Sequence, residues 1–305
     1  MEINRQNTYK GILFAILATI IWSGNFIVAR GVSKEIPPVS LAFYRWLTGT
    51  LIIAPFAFKQ LNREKEIIFK NWKYLFWISL FGITIYNTLI YIAGKTLPAI
   101  NLALIGTTSS PVLSILLAAI FLKEVIKPLR VVGLVICISG ILLLLSKGYW
   151  SNLVHFHFSA GDWWILAAAL SFAIYNILVR KKPPGISPLS FLLATFALGT
   201  LLLFPAFLFE TTIAPPIIWG PSLIIVILYL GLGNSVLSFL FWNSAIGKLG
   251  AARTALFGNL IPIFSSIEAV LILGEKITFI HIISGALVIG GLILANLAKS
   301  NAHFK

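Results

Sequence analysis

Arg45 and Glu268 stand out because each lies deep inside a run of apolar residues. Arg45 comes about seven positions into the run 39–58, roughly 10 Å along a helix from its start. An arginine there costs at least about 2.5 kcal/mol unless it snorkels or finds partners, so it is a functional candidate by default. Thr48 and Gly49 share its face. Glu268 lies at a similar depth in the run 252–273, one turn from Ser265. The two charges could form an ion pair, or stand apart as the poles that hold a zwitterion. A purely structural pair, or an Arg45 that caps backbone carbonyls, is the competing reading.

Two prolines fall in matching contexts, Pro111 in "SSPVLSILLAAIFLKE" and Pro262 in "LIPIFSSIEAVLILGE". Proline removes an amide hydrogen and crowds the carbonyl four residues earlier, so each is expected to loosen its helix. Thr107, Ser110, Pro111 and Ser114 would then share one face, with Gly258, Asn259 and Ser265 near the second break. Polar groups at membrane depth belong where they meet protein or water, which predicts that both helices wall a central cavity. Helix packing, with Ser and Thr bonding back to their own backbone, is the plainer alternative. The remaining candidate lining is aromatic and amide: Trp22 and Asn25; Tyr86, Asn87 and Tyr91; Tyr175 and Asn176; and Ser235, Ser238, Trp242 and Asn243. Gly231, Ser235, Ser238 and Trp242 follow three- and four-residue spacing, a single stripe on an α-helix. Such groups suit a mixed apolar and polar small molecule, although interhelical hydrogen bonding accounts for many of them.

Other chemistry is not signalled. The sequence has no P-loop, GxGxxG after a strand, HExxH or GxSxG, so neither an enzyme nor a nucleotide-driven pump is expected, and no cofactor is implied. The pair in "HFH" (155–157) lacks further metal ligands, His281 reads as interface packing, and the lone Cys137 as a small apolar residue. Glu124 and Glu275 end their runs and read as structural end groups. Energy would come from a gradient, either proton exchange through Glu268 or the solute's own.

These residues sit in a chain of 305 residues that is 59% hydrophobic and 10% charged, with mean hydropathy +0.97. Such a composition is that of a membrane protein. The apolar residues gather in ten runs, near 11–30, 39–58, 74–93, 99–122, 129–146, 161–180, 187–208, 222–243, 252–273 and 278–297. Each is long enough to cross a hydrocarbon layer of roughly 30 Å, and none alternates as a barrel strand would, so ten transmembrane helices are expected. The first run is too long for a cleaved signal and lacks a cleavage site. With both ends in the cytoplasm, about 17 of the 23 Lys and Arg residues fall in inner segments, so the net charge of +14 reads as topology rather than nucleic-acid binding. Trp72, Trp150, Trp163, Trp164 and Trp219 lie at run ends, as interfacial anchors do.

A shift of about 150 residues lays the second half on the first. Arg30 meets Arg180, Pro38 meets Pro188, Ser40 meets Ser190, Gly49 and Thr50 meet Gly199 and Thr200, and Pro55 meets Pro205. After a small slip, Pro111 meets Pro262, Glu124 meets Glu275 and Gly140 meets Gly291. The units are 11–146 and 161–297. Each holds an odd number of helices, so the second enters the membrane from the other side, an arrangement in which two halves can exchange open faces around one site.

"WSGNFIVAR", "FYRWLTGTLI", "YNTLIYIAGKTLPAINLALI", "PVLSILLAAIFLKE", "LGAARTALFGNLIPIFSSIEAVLILGE" and "ISGALVIGGLIL" together resemble the two EamA repeats of the drug/metabolite transporter superfamily. The resemblance covers nearly the whole chain. It implies an all-α fold of ten helices with both termini inside. It also implies movement of small metabolites, often amino acids outward, across a bacterial-type inner membrane. The expected partners are a small-molecule substrate and the lipid bilayer, the expected state a monomer, or else a dimer. A membrane-embedded enzyme or a scaffold without transport is the rival reading.

Overall fold

A computed structural model describes residues 5–121, 123, 127–149, 151 and 158–297, except the side chains of 5, 251, 252, 256, 296 and 297. Glu124, Trp150 and the two histidines of 155–157 lie outside the described residues. In lipid every backbone amide and carbonyl must be paired within its own segment, and the apolar runs accordingly form helices. They are α1 (Arg5–Gly31), α2 (Pro38–Arg63), α3 (Trp72–Gly94), α4 (Ala99–Phe121), α5 (Pro128–Leu145), α6 (Ala160–Arg180), α7 (Pro188–Ile213), α8 (Pro221–Leu249), α9 (Ala251–Phe257, Gly258–Leu260 and Ile261–Leu273) and α10 (Phe279–Leu297). A short surface helix, Lys65–Lys70, joins α2 to α3. No strand occurs among the described residues.

Helix starts follow local chemistry. Pro38, Pro128, Pro188 and Pro221 stand in the first turns of their helices, where a missing amide hydrogen costs nothing. Ser159 and Asp162 form a reciprocal capping box at α6. Trp72, Trp163, Trp164 and Trp219 present exposed rings near helix ends.

The two halves are inverted copies, and contacts between equivalent residues reveal the axis. Thr50 and Thr200, mates under the 150-residue shift, lie with their hydroxyls 3.3 Å apart where α2 crosses α7. The ends of this pair are locked reciprocally. Glu210, at the end of α7, accepts from the Val39 and Ser40 amides at 3.1 and 2.6 Å. Glu64, just past α2, accepts from the Ser187 amide at 2.9 Å. Each acid thus neutralises the orphan amides of the opposite helix's first turn. Glu275 does the same for α4, accepting from the Ala99 and Ile100 amides at 2.7 and 3.1 Å. It is a structural end group, acting on a neighbouring helix from the other repeat.

Burial of Glu64 favours its neutral form, but hydrogen bonds from Gln60, Ser187 and Ser190 outweigh this and hold its pKa below the ordinary glutamate value. A lowered native pKa means the cap contributes fully above the unfolded-state value and is lost as pH falls through the native one. Acid titration of thermal stability is therefore expected to show a loss below the ordinary glutamate range that Glu64→Gln removes. An identical acid limb in that variant would refute the cap.

α5 and α10 form a second close pair. A β-carbon on Gly133 would lie 2.5 Å from the Ala295 amide nitrogen, and one on Gly291 would lie 2.6 Å from both the Cys137 nitrogen and the Gly133 carbonyl oxygen. Backbone meets backbone there, which small residues permit.

Candidate functional site

Arg45 projects from α2 into the seam between the repeats and is 4% exposed. Its Nε donates to Ser235 Oγ at 3.0 Å. Nη1 lies 2.7 Å from Asn25 Oδ1, 2.8 Å from Asn87 Oδ1 and 2.9 Å from the Tyr91 hydroxyl, and Nη2 donates to Asn234 Oδ1 at 2.7 Å. Charge-assisted hydrogen bonds contribute about 1.5–3 kcal/mol each, so several together offset the insertion cost of the guanidinium. The partners come from α1, α3 and α8, and all are neutral. Thr48 and Gly49 do share this face: Gly231 packs on Thr48 and Gly49 packs on Ser235.

Arg45 and Glu268 do not form an ion pair, which leaves the reading in which the two charges stand apart. Arg45 is satisfied by amides and hydroxyls, while Glu268 Oε1 lies 2.6 Å from Ser23 Oγ. Ser265 Oγ donates to the Ser23 carbonyl at 3.0 Å, pinning α9 to α1 one turn away.

The backbone departs from a plain α-helix at matching places in the two repeats. Leu80–Ile85 of α3 and Tyr229–Leu237 of α8 are π-helical, a widening found most often at functional sites. In α8 the wider turn brings both Asn234 and Ser235 onto Arg45. The three- and four-residue stripe therefore breaks: Ser238 bonds back to the Asn234 carbonyl at 2.6 Å, while Trp242 packs on Trp22, ring centroids 5.1 Å apart. In α3 the widening leaves Gly82 against Tyr175, where a β-carbon would lie 2.2 Å from the ring. Tyr86, Phe172 and Tyr175 then stack in series at 4.4 and 5.4 Å.

The prolines behave differently from one another. α4 runs as one α-helix through Pro111, with no change of helix type there. The turn before Pro262 does tighten, into the 3₁₀ segment Gly258–Leu260. Thr107 bonds back to the Ala103 carbonyl at 2.7 Å, the plainer of the two expectations. Asn176 donates to Ser114 at 3.3 Å. The Ser109 and Ser110 hydroxyls and the Asn259 amide nitrogen are buried without a protein partner.

The repeats are not equally closed. Ser23–Ala29 of α1 is buried throughout, whereas the equivalent residues 173–179 of α6 are mostly half-buried or exposed. Ala99–Ser110 of α4 is buried except at Asn101 and Thr107. Of the described side chains in the equivalent stretch of α9, 251–262, Thr254 and Pro262 alone are buried. Equivalent segments of a symmetric bundle would be equally covered, so the two repeats pack differently, and the less covered segments of α6 and α9 lie toward the face that carries Arg63, Lys65, Lys70 and Lys73. Polar contacts tie the helix ends at the opposite face. There Arg30 donates to the Gly94 and Lys95 carbonyls at 3.3 and 3.1 Å, and His281 meets Asn101 at 2.9 Å.

Sequence reasoning passed over Asn234, Ser23 and Tyr229. Asn234 sits beside the α-helical stripe and joins Ser235 only through the π turn. Ser23 belongs to "WSGN" between two chosen residues, and its polarity next to a glycine at membrane depth was the available signal.

The family model for the EamA-like transporter family matches residues 9–146 and again 159–297. An uncharacterized transporter of Archaeoglobus fulgidus is 28% identical over 290 residues, covering 93% of this chain and 96% of its own. The uncharacterized transporter YyaM of Bacillus subtilis is 28% identical over 295 residues, 94% of each chain. A protein of Streptantibioticus cattleyicolor named "Probable terminal-alkyne amino-acid exporter" is 27% identical over 218 residues, 70% of each chain. One crystal structure matches with a TM-score of 0.63 over 95% of this chain and 99% of its own, at 20% identity, a likeness of fold.

Proposed function

The chain belongs to the EamA-like transporter family, and from that premise we propose that it exports amino acids or related amphipathic metabolites across the cell inner membrane by alternating access. Both termini lie in the cytoplasm in this reading, which the basic loops support, so the less covered face is the cytoplasmic one. The observation that carries the proposal is the unequal burial of equivalent segments in two inverted copies, which we read as one bundle closed at one end and open at the other. Exchange of the two conformations between the copies would close the open end and open the closed one.

Arg45 supports a substrate that brings a negative charge. Its cation is buried, and every group bonded to it is neutral. A carboxylate approaching from the aromatic series Tyr86, Phe172 and Tyr175 would meet that field in a medium of low dielectric. The unpaired Ser109, Ser110 and Asn259 groups supply polar contacts on the facing walls, and Trp22 and Trp242 an apolar surface. The amino-acid exporter among the relatives favours the same class.

Purified protein in liposomes, offered labelled amino acids, nucleobases and amines separately, is expected to give saturable flux with neutral α-amino acids and none with the corresponding amines. Saturable flux of amines alone would overturn the substrate class, and no saturable flux of any probe would overturn transport.

A further inference from the structure

We propose that Glu268 is a proton-binding site, built with Ser23 and the Ile20 carbonyl, and that it couples the carrier described above to a proton gradient. The coupling rests on the transport reading; the proton site does not.

The geometry contains one hydrogen too few for an ionised Glu268. Ser23 Oγ lies 2.6 Å from the Ile20 carbonyl oxygen and 2.6 Å from Glu268 Oε1. Contacts between oxygens at that distance are hydrogen bonds, and each needs a hydrogen. A serine hydroxyl has one, while a carbonyl and an ionised carboxylate have none. If Glu268 carries a proton, both contacts are filled: Glu268 donates to Ser23, and Ser23 donates to Ile20. Oε2 points the same way, being buried without a partner. An acid's carbonyl oxygen tolerates that position far better than a charged carboxylate oxygen.

Among the described residues Glu268 has no hydrogen-bond partner other than Ser23. Glu268 borders a largely apolar surface groove of about 450 Å³, with Ile20, Ile21, Gly24, Tyr229 and Ile272 in its wall. Tyr229, the titratable neighbour from α8, gives its hydroxyl to the Ile21 carbonyl at 2.6 Å, and Asn234 gives its amide to the same oxygen at 2.7 Å. Arg45 stands behind Asn234, bonded to neutral partners of its own. α4 also packs against α9, and its residues Ala99–Phe121 include no titratable side chain. Arg30, farther along α1, bonds the end of α3, and Glu275 of α9 caps α4.

Proton release balances with water as the acceptor. Water entering the seam takes the Glu268 proton, and the Ser23 hydroxyl turns from Ile20 to donate to the carboxylate left behind. The seam joins α1 of one repeat to α9 of the other, the boundary that alternating access would part. A site satisfied when closed and hydrated when open binds and releases its proton with the conformational change.

Infrared difference spectra of the protein in liposomes at neutral pH, wild type against Glu268→Gln, are expected to show the carbonyl stretch of a protonated acid in the wild type alone. Ser23→Ala is expected to shift that band, which keeps the test available if Glu268→Gln does not fold. Loss of an ionised-carboxylate signal in place of the acid band, or no shift with Ser23→Ala, would overturn the site. With labelled leucine as probe, an imposed proton gradient is expected to concentrate it through the wild type. Glu268→Gln is expected to lose concentration while keeping leucine exchange. Wild-type leucine flux indifferent to the gradient would overturn the coupling. Absence of any leucine flux would count against the transport reading instead, leaving the infrared result to decide the proton site.

Discussion

Arg45→Met is expected to destabilise the protein by at least about 3 kcal/mol and to abolish flux, because it takes the shared donor from five buried groups at once, of which Asn25 Oδ1 keeps the Tyr91 hydroxyl. Asn25, Asn87, Tyr91, Asn234 and Ser235 would lose a shared donor in a place water does not readily reach. Arg45→Lys separates charge from geometry. Lysine keeps the cation but has three donors at one point, so it cannot reach α1, α3 and α8 together. That variant is expected to fold and to lose about tenfold or more in flux, since the charge moves from where the fork holds it. Thermal unfolding in detergent and leucine flux in liposomes, measured on both variants, check this. Wild-type melting and flux in Arg45→Lys would refute a role for the fork.

The second large effect is structural. Gly291→Leu places a β-carbon 2.6 Å from backbone atoms of Cys137 and Gly133, and neither can move without carrying its helix along. α5 and α10 must separate, and the expected cost is about 3 kcal/mol or more, read as a lower melting temperature. Gly290 is the control, since nothing lies within 4 Å of a β-carbon there. Gly290→Leu should therefore melt close to wild type. Equal melting of the two variants would show that the close crossing of α5 and α10 is not what the glycine serves.

Much of the architecture was legible before any coordinates. Long apolar runs fix helices because lipid offers the backbone no partners, and prolines and glycines recurring about 150 residues apart expose the duplication. An odd number of spans then forces inversion. Arg45 was legible as a focal residue for the same reason: a charge at membrane depth is costly enough to need an explanation.

The partners of that charge were not legible. Helical periodicity placed Ser235 in a stripe with Ser238 and Trp242, whereas the π turn in α8 rotates Asn234 into place beside Ser235 and leaves Ser238 bonded to its own helix. Two charges at similar depth could have paired, yet amides took Arg45 and a serine took Glu268. Matching prolines suggested matching breaks, yet α4 runs through Pro111 as one α-helix.

The sequence by itself determined the spans, the duplication and the place of the costly charge, because each follows from the transfer of a segment from water to lipid. Only the tertiary structure decided which groups meet and which of two equivalent segments is covered. Those choices turn on rotations of a single helical turn and on differences between two nearly equivalent packings, to which a pattern of apolar and polar letters is blind.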